Sequence, residues 1–274
     1  MANVNGVHFF KTLGKMKEQR ERGVNVMYEL HELLSKLKNY EWVNLTHEVN
    51  KDIPIYHTFN PLQETEISNI NKDGVESIEY TIGSSHGTHI DAPSHFAKGK
   101  RNLSEVSQKE RVLPLYVMDV TDKVNETPGY AVTVDDIKAF EAEYGELPAE
   151  SLVALSTGWY KRFDDPDKFT NKDAEGTEHT PGWSIPALEY LSRTRNVTAI
   201  GHETLNTDSG VEAAEAGFLD AQNYWLHEDK FQVELLANLD KLPAVGSIIV
   251  IGVPHIKDSP GFPAEIYAIV PNKK

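Results

Sequence analysis

The apolar positions of this chain change their period at about residue 42. Before it, Met27, Leu30, Leu34 and Leu37 recur at i, i+3, i+7 and i+10, which lays one apolar stripe along a helix running from about 25 to 39. A charged stretch over 11–22 precedes that stripe. From Trp42 onward, short runs rich in Val, Ile, Leu and Tyr stand between Gly, Pro, Asp and Asn: WVNLTHEV, SIEYTIG, LYVMDV, SLVALST, VTAIG and SIIVIGV. These runs predict strands. Helical stretches alternate with them. Val134–Tyr144 opens on Thr133-Val-Asp-Asp, an N-cap sequence, and Ile185–Ser192 follows Pro181-Gly182. Strands interleaved with helices predict a single α/β domain over 42–274, with residues 1–41 as an N-terminal helical arm. The arm's stripe has two readings, a helix packed on its own domain or an arm docking on a second subunit. Asp164–Pro181 is largely polar and reads as a long loop.

Composition narrows the chemistry. A chain of 274 residues can bury roughly three-quarters of its unfolded surface, so the fold requires neither disulfide nor structural metal. Lys and Arg number 27 against 42 Asp and Glu, a formal charge of −15. Such a surface repels phosphate backbones and anionic membranes, which argues against nucleic-acid and membrane partners, while acidity alone says nothing about a substrate. There is no cysteine. Thiolate zinc sites, iron–sulfur clusters and cysteine nucleophiles are thereby excluded, and any metal must be held by nitrogen and oxygen. The opening MANVNGVHFFKTLGKMKEQRER lacks a signal-peptide core, and the longest apolar stretch, around Ile248–Val253, is too short to span a bilayer. The expectation is a cytoplasmic, soluble protein.

Three of the eleven histidines fall within ten residues, in Ser84-Ser85-His86-Gly87-Thr88-His89-Ile90-Asp91-Ala92-Pro93-Ser94-His95-Phe96. On a strand, His89 and Asp91 project from the same face, with Ser85 and Gly87 sharing it and His86 opposed. Pro93 ends the ladder, and the turn it forces can bring His95 back over the same pocket. A His-x-Asp pair beside a further imidazole is what an all-N/O Zn²⁺ or Mn²⁺ site requires. A rival motif overlaps it: Gly83-Ser84-Ser85-His86-Gly87 fits G-x-S-x-G, with Ser85 as nucleophile. That motif demands a following helix, whereas the next residues are β-prone and stopped by proline. No Walker loop or G-x-G-x-x-G is present, so nucleotide cofactors have no support.

HGTHIDAPSHF closely resembles the signature of the cyclase family of metal-dependent hydrolases, the family of bacterial kynurenine formamidase and isatin hydrolase. WVNLTHEVNKDIPIY resembles that family's opening strand and loop, STGWYKRF its central T-G-W motif, and AIGHETLNTDSG and VELLANLDKLPAVG its later blocks. The resemblance covers about residues 42–270. It implies a swivelling β/β/α-type domain with a mixed, curved sheet, and a divalent metal. By position, His89 and Asp91 match metal ligands, His95 a further ligand or the acid–base group, and Glu234 a carboxylate ligand or catalytic partner. His227 is a candidate for the family's late histidine, but it precedes Glu234 by seven residues where the formamidases have about a dozen. Gln222 stands at the longer spacing.

The family's first histidine ligand is replaced here by Ser85. Its place can be filled by His86 across a bulge, or by Glu234, His202 or Glu203 from elsewhere. Otherwise the metal is held more weakly. The implied activity is hydrolysis of a non-peptide C–N bond in a small amide, formamide or cyclic amide. Metal-bound hydroxide attacks the carbonyl and His95 shuttles the proton. Two other readings are a small-molecule-binding protein that lost a ligand at Ser85, and a serine hydrolase using Ser85. Tyr56 and Trp159 are candidates to line an aromatic substrate's pocket, the competing reading for such residues being the core. A homo-oligomer, dimer or tetramer, is the default expectation.

Overall fold

A computed structural model describes residues 28–272 of the chain. Residues 28–41 with Asn272 form one unit and Trp42–Pro271 the other. In the first, helix α1 covers 28–37. It bears out the stripe as helical, with Leu30 76% exposed and Leu34 44%; Met27 and the charged stretch lie outside the described residues.

In the second unit the strands are β1 (Glu41–Asn44), β2 (Gln63–Ser68), β3 (Ser77–Thr81), β4 (His89–Asp91), β5 (Val112–Asp119), β6 (Ala131–Val132), β7 (Leu152–Ser156), β8 (Gly182–Trp183), β9 (Ala199–His202), β10 (Phe231–Glu234), β11 (Ser247–Gly252), β12 (Gly261–Pro263) and β13 (Glu265–Val270). Between them run α2 (Ile70–Asp73), α3 (Thr121–Glu126), α4 (Val134–Tyr144), α5 (Pro166–Thr170), α6 (Ile185–Glu189), α7 (Gly210–Ala216) and α8 (Asp220–His227). Nine strands make one mixed sheet in the order β1-β13-β11-β5-β7-β9-β10-β4-β12. Its middle, β5-β7-β9-β10, is parallel, and the pairings toward both ends are antiparallel. The parallel strands β7, β9 and β10 are buried at every residue; β7 reads as a nearly continuous apolar run, as a strand covered on both faces does, whereas β10 buries Gln232 and Glu234 as well.

The sheet curls. One face packs on helices, through Val124, Ile137, Leu188, Trp225 and Leu226. On the other face Val43 and Ile266, from one end of the sheet, share a cluster with Ile90 and Val233 from the opposite end. Backbone hydrogen bonds link those ends: the Ala237 amide, past β10, donates to Leu45, past β1, and the Ala264 amide, between β12 and β13, donates to Thr88 just before β4. The expected mixed, curved sheet is therefore present.

Local chemistry explains the helix ends. Thr133 caps α4 as predicted, in a reciprocal box with Asp136. The second predicted helix is helical only to Glu189 and continues as a wider π-type turn over Tyr190–Thr194. The polar loop 164–181 contains α5, started by Asp165 and Pro166 and anchored by buried Phe169. WVNLTHEV is strand only in its first residues; beyond them the Leu45 amide still donates to Ile266 of β13, while its carbonyl accepts from the Ala237 amide that follows β10. No helix among the described residues is long and apolar enough to cross a membrane.

Gly182 of β8 lies against the loop that follows β9. A Cβ there would sit 2.3 Å from the backbone of Asp208 and Ser209, so a side chain must displace main chain. Gly182→Ala is expected to lower stability by about 1–3 kcal/mol, measured by urea unfolding; an unchanged midpoint would contradict this packing.

Candidate active site

The side chains singled out by the histidine-rich segment are positioned by β4, which is three residues long and wholly buried. Residues 84–88 are not strand but a tight turn, with Gly87 at φ +60. Alternation therefore begins at His89, and Ser85 and Gly87 do not extend its row. β4 lies between two antiparallel neighbours. Glu234 of β10 stands opposite His89, and Gln232 opposite Asp91; Gly261 of β12 stands opposite Asp91 on the other side. His89, Asp91, Gln232 and Glu234 thus share one face. Gly261 is required for this approach, since a Cβ would lie 2.8 Å from Asp91 Oδ1.

The electrostatics of this row follow from one hydrogen bond. His89 Nδ1 lies 2.8 Å from the Gly87 carbonyl, which only accepts, so Nδ1 carries the proton and Nε2 presents a lone pair. That Nε2 is buried and has no hydrogen-bond partner among the described residues. It faces Glu234 Oε2 at 3.3 Å and Asp91 Oδ2 at 3.6 Å. A lone pair aimed at two carboxylates demands a cation between them, either a proton or a metal. With a proton there, burial lowers the His89 pKa, but Asp91 and Glu234 outweigh it and hold it well above the ordinary value. Burial likewise raises Asp91, and the neighbouring His89, His95 and Gln232 overcome this and keep it low. Ligand atoms of His89, Asp91 and Glu234 all lie within 4.8 Å of one another. One imidazole and two carboxylates converging on an unsatisfied buried nitrogen fit a divalent cation.

His89, Asp91 and Glu234 of this row form the floor of a cavity of about 300 Å³. Tyr56, Phe59, Phe96, Leu205 and Leu219 give it apolar walls, and Ser85, His95 and Gln222 also reach it. His95 sits in the turn Pro93–His95, one step beyond β4, as the proline led us to expect. Tyr56 lines the cavity; Trp159 does not. The Trp159 indole is buried in the core against helices, its N–H bonded to the Phe169 carbonyl and Arg162 stacked on its face. His227 also stands apart. It is exposed in the last turn of α8, where its Nδ1 meets the Asn223 carbonyl. Gln222, earlier on the same helix, is the residue that faces the site. Its Nε2 lies 3.4 Å from Asp91 Oδ2, and its Oε1 is buried without a partner. The spacing of a dozen residues before Glu234 was the signal for it, obscured because glutamine stands where a histidine was sought.

The other proposed replacements for the missing first histidine go elsewhere. His86 turns away, its Nε2 meeting the Asn60 carbonyl at 2.9 Å. His202 is next to Glu234 on β9, with Nε2 3.5 Å from Oε1, but does not line the cavity. Ser85 Oγ has no hydrogen-bond partner among the described residues. No base is attached to it, and its turn leads into a strand rather than a helix, so the nucleophile elbow is absent. Thr88 serves the backbone, donating to Leu235 O and accepting from His47 N.

Glu203 is a second buried carboxylate with a different task. Its Oε2 accepts from the Thr157 amide and hydroxyl and from the Trp159 and Tyr160 amides. It thereby pins the T-G-W turn, where Gly158 takes φ +70.

Comparison with known proteins places the chain. It belongs to the Cyclase family, described as "Putative cyclase", whose model matches residues 43–209. It is similar to an isatin hydrolase of Roseibium aggregatum, 34% identical over 194 residues, 69% of this chain and 73% of that protein. Among solved structures it is similar to an isatin hydrolase bound to the product analogue thioisatinate, at TM-score 0.82 and 31% identity, covering 90% of this chain and 99% of that one. Isatin hydrolase A from Ralstonia solanacearum matches at TM-score 0.81 and 28% identity, over 89% and 97% of the two chains.

Burial pushes Glu203 up from 4.5 to about 7, against the hydrogen bonds that favour its anion. The folded chain therefore binds this proton more tightly than the unfolded one. Glu203's contribution to stability is complete below the unfolded value of 4.5 and declines as pH rises to about 7. In urea unfolding across that window, wild type is expected to lose about 3 kcal/mol relative to Glu203→Gln. Parallel pH profiles for the two proteins would show that Glu203 is not so desolvated.

Proposed function

We propose that this chain is a metal-dependent hydrolase that opens the C–N bond of a small aryl or cyclic amide of the isatin type. The observation that carries the reading is the unpaired Nε2 of His89, aimed with two carboxylates at one point on the floor of an aromatic-walled cavity. The similarity to isatin hydrolases supports the substrate class. Kynurenine formamidase activity has less support, because the late histidine at its usual spacing is replaced by Gln222.

His89, Asp91 and Glu234 would hold the cation, with the free Oε1 of Gln222 as a further oxygen donor beside Asp91. The donor set of one imidazole and hard oxygens suits Zn²⁺ or Mn²⁺. Such an ion lowers the pKa of a bound water toward about 7 and polarises a carbonyl. The protein's own groups do the rest. Gly87 holds the proton on His89 Nδ1, keeping Nε2 as the coordinating nitrogen. His95, half-buried at the cavity wall and close enough to depress Asp91, accepts a proton at its imidazole and returns it to the leaving nitrogen. Tyr56, Phe59 and Phe96 clasp a flat ring and exclude water around the scissile bond.

Elemental analysis of the purified protein is expected to find Zn or Mn. Isatin hydrolysis should be lost on chelation and restored on refilling. His95→Gln should lower kcat by about 10²–10⁴-fold with metal content unchanged. A chain that never takes up metal would end the reading, and loss of metal in His95→Gln would make His95 a ligand instead of the proton carrier.

A further inference from the structure

Two carboxylates and an imidazole converge on one point, yet among the described residues only one neutral side chain touches both carboxylates closely. Gln232 is fully buried on β10 and lies behind the cavity wall, which it does not line. Its Nε2 lies 2.7 Å from Glu234 Oε1 and 3.2 Å from Asp91 Oδ2. Resting on the metal-centre reading, we propose that Gln232 is a positioning residue for that centre: its amide clamps Glu234 and Asp91, and the Thr207 hydroxyl locks the amide's orientation.

The orientation follows from donor inventory. Both carboxylates only accept, so the NH₂ end of Gln232 faces them and the Oε1 end must take a proton from elsewhere. Thr207 Oγ1 supplies it at 2.7 Å, from a residue that is itself fully buried. The amide cannot flip without presenting oxygen to two anions. Glu234 is then held by Oε1, which leaves Oε2 directed at His89. Neutrality matters as much as geometry. A lysine here would compete with the cation, and a glutamate would add a third anion to the cluster, whereas an amide aligns the ligands without changing their charge.

Thr207 is in turn fixed by main chain. Its carbonyl accepts from the Trp183 amide at 2.8 Å. The next residue, Asp208, accepts from the Ala221 and Gln222 amides at the start of α8, so the same loop seats the helix that carries Gln222. The sequence signal is the pairing of Q-x-E on β10 with H-x-D on β4 in antiparallel register. The H-x-D half is recognisable alone; the Q-x-E half is not.

The test is calorimetric titration of Mn²⁺ alone and of Zn²⁺ alone into metal-free wild type, Gln232→Leu, Thr207→Val and the double variant, with thermal melts of each metal-free protein. Gln232→Leu is expected to weaken metal binding by about 10–100-fold, and Thr207→Val by less. Adding Thr207→Val to Gln232→Leu should cost no more, because Thr207 acts through Gln232. A folded Gln232→Leu that binds metal within about twofold of wild type would overturn the proposal alone, as would fully additive losses. If Gln232→Leu does not fold, unchanged affinity in Thr207→Val overturns it and weakened affinity sustains it. A wild-type chain that binds neither metal overturns the metal centre itself, and this role with it.

Discussion

The site depends on one buried nitrogen that its own protein leaves unsatisfied. The Gly87 carbonyl commits His89 to donate from Nδ1, and the buried Nε2 is left facing two carboxylates with no hydrogen-bond partner among the described residues. Burying that lone pair against two anions is costly unless a positive charge fills the gap. The surroundings serve to bring those anions close. β4 is short and clasped between β10 and β12, Gly261 omits a side chain so that Asp91 can seat, and the sheet's curl brings its ends together beneath them.

The two buried glutamates at this end of the sheet show how environment divides labour between like residues. Glu203 spends one oxygen on four donors from a single turn and thereby becomes a structural pin. Glu234 receives one strong donor from Gln232 and keeps its other oxygen directed at His89. Chain position hardly separates them, as Glu234 is the last residue of β10 and Glu203 the first beyond the neighbouring parallel strand β9. The difference is the loop each one meets: a peptide nest for Glu203, the polar row of β4 for Glu234.

Much of this was legible in the sequence. The strand runs, α4 with its Thr133 cap and the break at Pro93 follow from local chemistry, and H-x-D with His95 marked the site's near half. Glu234 came from family resemblance, since a lone carboxylate in an apolar run has no local signature. The illegible part is what depends on register. That Gln232 faces Asp91, that Gln222 and not His227 turns inward, and that Trp159 goes to the core are decided by which distant strand or helix face packs there. His227 illustrates the reason. Residue type suggested a ligand, but helical phase sets Gln222 toward the sheet and leaves His227 in solvent.

The antiparallel pairing of β4 with β10 joins residues 141 apart in sequence, Asp91 and Gln232, while Thr88 reaches Leu235 across 147. No short segment of the chain contains His89, Asp91 and Glu234 together. An ion held by these three would therefore gain nothing from a nascent or half-folded chain and would bind only once β10 has been laid beside β4. Its affinity would be drawn wholly into the finished state, so that its supply would bear on how long a completed molecule persists rather than on how quickly one is made.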